Sequence, residues 1–245
     1  RLGFTVEGHT AELARAAIAG GATATVSRPR LGAELRLTLA ESDAIAALEA
    51  LAELGVLATL HPRLAFDREL ALRALALLPP DGRPPALLLS VLLLAPAGYE
   101  QTDAGEQARP EMLALLDSLE FTAAERNSAV RAALEAPRLR AAIERAERPS
   151  ELQRALAREA PEAIALAGAL DAPGNAGPTQ ARAAEWLSRL RHVRLGIGGD
   201  DLLAAGVPAG PQIGKRLAAA LALRLDGELA EGREAELRAA LGDLP

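Results

Sequence analysis

Ile197-Gly198-Gly199-Asp200-Asp201-Leu202-Leu203-Ala204-Ala205-Gly206-Val207-Pro208-Ala209-Gly210-Pro211-Gln212-Ile213-Gly214-Lys215-Arg216-Leu217 is the stretch that decides the fold. It reads as two short helices with a hinge between them. Asp201 suits the N-cap of the first, because its carboxylate can accept amide hydrogens two or three residues on. Gly206 can take the left-handed conformation that ends that helix. Gly210 and Pro211 start the second, since a proline at the first helical position lacks only an amide hydrogen that would be unpaired there. Ile213, Leu217, Leu221 and Leu225 follow at four-residue spacing and make an apolar stripe.

Composition points the same way. The 245 residues are rich in Ala, Leu, Glu and Arg, with aromatics at 2% and few β-branched residues, which predicts an all-α protein. This length can bury a core in one elongated domain or two small ones. Cysteine is absent, which excludes disulfides, thiolate metal sites and a cysteine nucleophile and fits a reducing, cytoplasmic setting. The longest apolar run, 86–95, is broken by Ser90 and falls short of the ~20 residues that span a bilayer. No membrane partner is expected. A net charge of −6 argues against a nucleic-acid binder unless positive charge is segregated. Between residues 179 and 194 it is: Arg182, Arg189, Arg191 and Arg194 stand against Glu185, with His192 among them. Lys215 is the one lysine in the sequence.

In chain order, helices are expected over 10–19, ended by Gly20-Gly21, and from Ser27 as cap through Arg30, Leu31, Glu34 and Leu35. Arg30 and Glu34 share a face and can pair or stay solvated. Ser42-Asp43 caps a helix to Leu54, a short helical turn runs to His61, and residues 67–78 form another helix. Pro84-Pro85 starts an apolar helix buried on several sides. Residues 97–110 read as the longest loop and a candidate mobile connection. T-x-x-E at Thr122 and Glu125 and S-x-x-Q at Ser150 and Gln153 read as capping boxes. Pro137 starts a short helix to Ala146 and Pro161 one to Leu170. Residues 171–178 read as a turn, Thr179 caps the arginine-rich helix, and 232–241 form the last helix. His61 has no second ligand at suitable spacing and reads as structural. No fixed-period repeat appears, so about a dozen helices in stacked hairpins are expected.

The pattern I-x-G-x-D-L-x-x-x-G-x-x-x-G-P-x-I-G resembles the C-terminal region of the class II tRNA nucleotidyltransferases, the family of CCA-adding enzymes and bacterial poly(A) polymerases. R-x-G-F at residues 1–4 resembles the end of that family's neck helix, and Ser27, Arg30, Leu31, Glu34 and Leu35 match its next neck motif, S-x-x-R-L-x-x-E-L. The resemblance covers nearly the whole chain and is weak between Ala71 and Met112. It implies an elongated array of stacked helical hairpins divided into the end of the neck (1–41), a body (42–175) and a tail (176–245). It implies tRNA as partner and Arg30 and Glu34 as support for a nucleotide pocket. It makes Gly199, Asp201, Gly206, Pro211 and Gly214 structural motif positions.

The same resemblance places catalysis elsewhere. The family's nucleotidyl transfer uses carboxylates that hold two metal ions about 3.5–4 Å apart, in an N-terminal head with a D-x-D pair. The head, its Mg2+, its CTP and ATP, and an E-D-x-x-R stretch are expected upstream of Arg1, a start that suits a piece of a longer chain. Asp200-Asp201 is not D-x-D and opens a helix. No catalytic residue, metal site or cofactor is expected in these 245 residues. The expected RNA contacts are Lys215 and Arg216 in the second turn of a helix whose Gly210-Pro211 start leaves amides exposed to a phosphate. Arg182, Arg189, Arg191 and Arg194 are second candidates. A stand-alone helical RNA-binding module and a helical scaffold for proteins are the alternatives. Oligomeric state and the choice among CCA, C, A or poly(A) addition are not legible.

Overall fold

The computed structural model describes residues 6–62, 64–97, 102–170 and 177–242. Among these there is no strand. The helices are α1 (Gly8–Ala19), α2 (Arg28–Leu39), α3 (Ala44–Glu53), α4 (Val56–Leu60), α5 (Arg68–Leu77), α6 (Pro84–Ala97) and α7 (Thr102–Ser118). They continue as α8 (Ala123–Arg145), α9 (Pro149–Leu156), α10 (Pro161–Ala169), α11 (Pro178–Ser188), α12 (Gly199–Ala204), α13 (Pro211–Leu225) and α14 (Arg233–Leu241), with 3-10 turns at Ala22–Thr25 and Leu190–His192. The R-x-G-F stretch lies outside the described residues, as does 171–176 of the expected turn.

Several helix starts are local, as the sequence suggests. Asp43 and Asp67 accept the amides of Ala46 and Leu70 at 3.3 and 2.9 Å. Thr122 and Glu125 form a full capping box: the Thr122 amide donates to Glu125 Oε2 at 2.8 Å and the Glu125 amide to Thr122 Oγ1 at 3.3 Å. The Thr122 hydroxyl and amide hold the Glu125 carboxyl below its ordinary value.

Other starts are corrected. Ser150 and Gln153 make no box. Arg148 is the N-cap of α9, while Ser150 donates its amide and hydroxyl to Asp226 at 2.9 and 2.8 Å. Gln153 Oε1 accepts the Trp186 indole N–H at 2.8 Å. Thr179 does not cap α11, because Gly177 is the cap and Pro178 the first residue; Thr179 is buried. Ser27 holds the cap position of α2 without a side-chain bond.

The two largest corrections concern proline. Residues 102–110 are helical, so α7 runs through Pro110, and α8 runs through Pro137 rather than starting there. An internal proline costs about 3 kcal/mol or more, but a buried stripe crosses each one in register. Ala108, Met112 and Leu115 on α7 bury together with Leu119 just past its end, and Ala132, Ala136, Leu139 and Ile143 do so on α8. Breaking either helix would rotate half its stripe out of the core.

The larger core is built around α10, whose every residue from Glu162 to Ala169 is buried and which packs on α5, α6, α8 and α11. The α6 helix buries Leu87 to Leu94 on all sides. α2 presses on the end of α7: a Cβ on Gly32 would lie 1.9 Å from the Leu119 carbonyl oxygen. A second, smaller core joins Ile197, Leu202, Val207, Ala220, Ala239 and Ala240. The stripe on α13 serves both cores: Ile213 and Leu217 pack on the smaller, Leu221 and Leu225 on the larger. α13 is therefore a strut, and polar ties fix its far end. Asp226, just past α13, caps α9 through Ser150, and Arg148 pairs with Asp226 and Glu228.

Candidate nucleic-acid interface

Residues 197–217 form α12, a turn and the first half of α13. Asp201 is the third residue of α12, not its cap: its Oδ2 reaches back to accept the Gly198 amide at 2.7 Å, while Gly198 holds the cap position. An acid in the first turn also meets the positive end of the helix dipole. Oδ1 of Asp201 pairs with Arg233, which also donates to the Gly196 carbonyl at 2.7 Å. Gly199 packs near Ile213, 3.4 Å from where its Cβ would stand.

At the other end of α12, Gly206 lies at φ +89. Its amide bonds the Leu203 carbonyl and the Val207 amide bonds the Leu202 carbonyl, at 3.0 and 2.9 Å. This is the double bond pattern of a Schellman close, which needs a residue free to take positive φ. Gly210 then sits at φ +149, a conformation few side chains tolerate, and Pro211 begins α13.

No side chain caps α13, and its first turn carries no acid. Gly210, Pro211, Gln212, Gly214 and Lys215 are all exposed. A Cβ added at Gly210 or Gly214 would meet nothing within 4 Å. Lys215, next in line, makes no hydrogen bond or ion pair among the described residues. The start of α13 thus presents backbone donors, a cation and two bare glycines to solvent.

The remaining sequence candidates are otherwise occupied. Arg216 donates through Nη1 to the carbonyls of Ala240 and Leu241 at 3.1 and 2.6 Å, closing the end of α14. Arg182 donates to the carbonyls of Ile143 and Glu144 at 3.1 and 3.2 Å and to that of Ala146, closing α8. Arg189 pairs with Glu185. Arg191, 13% exposed, forks onto Asp81 and holds that carboxyl below its ordinary value. Arg194 donates to the carbonyls of Arg191 and Val193 at 2.6 and 2.8 Å. The arginine run therefore spends much of its donor capacity inside the chain.

On α2, Arg30 and Glu34 are exposed and form no ion pair with each other. No motif or spacing singled out Arg36. It donates to the carbonyls of Leu119 and Glu120 at 3.2 and 2.9 Å and lies 5.0 Å from the Phe121 ring centre. It borders a cavity of about 490 Å³ with Leu39, Leu89, Phe121 and Glu125. His61 also finds an unforeseen partner, with Nε2 2.8 Å from Glu111 Oε1.

Two-metal chemistry finds no matching group among the described residues. Among the described residues no group of three His, Asp or Glu could hold a metal ion. Both oxygens of Asp201 are engaged, and Asp200 stands exposed beside it. Nor is any described helix long and apolar enough to cross a membrane.

No protein-family model matches the chain, and no curated protein matches its sequence. Solved structures do. A Thermotoga maritima CCA-adding enzyme complexed with tRNA matches over 100% of this chain and 58% of its own, at 20% identity and a TM-score of 0.73. A CCA-adding enzyme in complex with ATP matches over the same shares at 20% identity and a TM-score of 0.68. An apo CCA-adding enzyme matches over 99% of this chain and 56% of its own, at 20% identity and a TM-score of 0.70. The chain spans under three fifths of the length of these neighbours. Along its whole length, then, this chain has the all-α fold of one part of the CCA-adding enzymes.

Proposed function

We propose that this chain is the neck-end, body and tail (1–41, 42–175 and 176–245) of a tRNA nucleotidyltransferase, and that it grips tRNA through the start of α13. Nucleotide transfer, with CTP, ATP and Mg2+, belongs to a head outside these residues. Arg30 and Glu34 face that head's nucleotide pocket. The observation that carries the RNA contact is Gly214. A glycine inside a helix costs roughly 0.5–1 kcal/mol relative to alanine, yet among the described residues nothing beyond its own helix backbone stands within 4 Å of its absent Cβ. Internal packing gives no reason for it; the close approach of a backbone from outside does. Lys215 beside it supplies charge, and the uncapped first turn supplies amides for a phosphate. The tRNA complex of a neighbour with the same fold supports the choice of partner.

The test is tRNA binding by the purified chain across about 50–200 mM salt. Replacing Lys215 with Ala is expected to weaken binding and to reduce the magnitude of the log K against log salt slope by about 0.9 for a duplex contact. An unchanged slope and affinity would remove Lys215 from the interface. If loss of Arg189 and Arg194 changes both instead, the contact moves to the segment before α12.

A further inference from the structure

Arg216 and Lys215 are adjacent cations, but the structure gives them different tasks. Building on the RNA-binding reading of α13, we propose that Arg216 is a positioning residue, which braces the RNA-facing end of α13 against α14 and leaves the phosphate contact to Lys215. Its Nη1 donates to two carbonyls in the last turn of α14, at 3.1 and 2.6 Å. Those carbonyls have no partner further along their own helix, and a cation there meets the negative end of the helix dipole. The side chain is half-buried, whereas Lys215 is exposed.

The brace works with a second tie on the same helix pair. Glu236 of α14, only 1% exposed, pairs with Arg224 near the other end of α13 and accepts the Gly196 amide at 2.6 Å. α13 and α14 are therefore antiparallel and pinned at both ends. The Glu236 end leads into the larger core through Leu225. The Arg216 end lies next to the open start of α13, where Ile213 packs on the smaller core but Gly210, Pro211, Gln212 and Gly214 are all exposed. Without Arg216, the surface that carries Gly214 and Lys215 loses its polar tie to the last helix.

A positioning role and a direct phosphate contact make opposite predictions for charge. If Arg216 braces α13, Arg216→Ala lowers tRNA affinity by about tenfold at every salt concentration, the equivalent of one hydrogen-bonded tie. The slope of log K against log salt stays at the wild-type value. Arg216→Lys behaves like Arg216→Ala despite keeping its charge, because the lysine chain ends one atom short of the Nη1 that makes both bonds and its compact ammonium is more strongly hydrated. In both variants, without RNA, amide hydrogen exchange across residues 233–242 accelerates. A slope that flattens by about 0.9 in Arg216→Ala, full affinity in Arg216→Lys, or unaltered exchange in 233–242 overturns the assignment. A wild-type chain that binds no tRNA at low salt refutes the RNA-binding reading, and this assignment with it. A wild-type chain that binds while Arg216→Ala flattens the slope refutes this assignment alone.

Discussion

Gly214→Ala separates function from folding, because the two respond with opposite signs. The position is helical, its φ is not positive, and the added methyl enters open space. Alanine should therefore stabilise the chain by roughly 0.5–1 kcal/mol through helix propensity and a less flexible unfolded state. For a domain of this size that is a rise in melting temperature of about 1–4 °C. If RNA backbone lies against Gly214, the methyl sits where the phosphate must come. Losing one hydrogen bond between an amide and a phosphate costs about 1.5–3 kcal/mol, so affinity should fall by about tenfold or more. Thermal unfolding followed by circular dichroism reads the first effect, and tRNA titration at fixed salt reads the second. A lower melting temperature would mean that the glycine has a packing role that the structure does not reveal. A higher melting temperature with unchanged tRNA affinity would refute close approach at Gly214.

Two further outcomes test the framework around that site. Gly32→Ala would put a Cβ 1.9 Å from the Leu119 carbonyl oxygen; backbone must move, so a loss near the top of the usual ~1–3 kcal/mol overpacking range is expected in urea unfolding. A cost below about 0.5 kcal/mol, the level of an ordinary surface change, would contradict the α2–α7 contact. Arg191 lowers the Asp81 carboxyl, so this tie adds stability above the unfolded value of about 3.9 and loses it as pH falls through the lowered folded value. Asp81→Asn should remove that part of the acid dependence, and identical acid unfolding curves for variant and wild type would show that the tie contributes nothing.

What was legible in the sequence was what is decided within a turn or two of chain. The Thr122–Glu125 box, the Asp43 cap, the helix start at Asp67, the Gly206 close and the Gly210-Pro211 start all depend on neighbours within five residues, and all form. What was not legible was set by residues far along the chain. Ser150 fits a capping box, but Asp226 takes its donors; Gln153 is taken by Trp186. Pro110 and Pro137 read as breaks, and only packing against other helices shows that a continuous stripe outweighs the missing bond. The partners that the arginines find were hidden for the same reason. Counting nearby acids overlooks helix C-terminal carbonyls, and Arg15, Arg28, Arg36, Arg73, Arg182 and Arg216 each donate to a carbonyl at or just past a helix end. A guanidinium suits this use because its donors form a rigid fork.

Amine chemistry offers the most direct measurement, since Lys215 is the one lysine in the sequence. An amine-selective acylating reagent modifies Lys215 and the α-amino group, and the second serves as an internal reference. Peptide mass spectrometry then follows the two rates with and without tRNA. If tRNA lies against the start of α13, tRNA at ten times its Kd should slow acylation of Lys215 by about tenfold, as expected for mass-action occupancy. The α-amino group should be unaffected, and added salt should reverse the protection. Acylation of Lys215 at the same rate with tRNA bound as without it would contradict RNA recognition at α13.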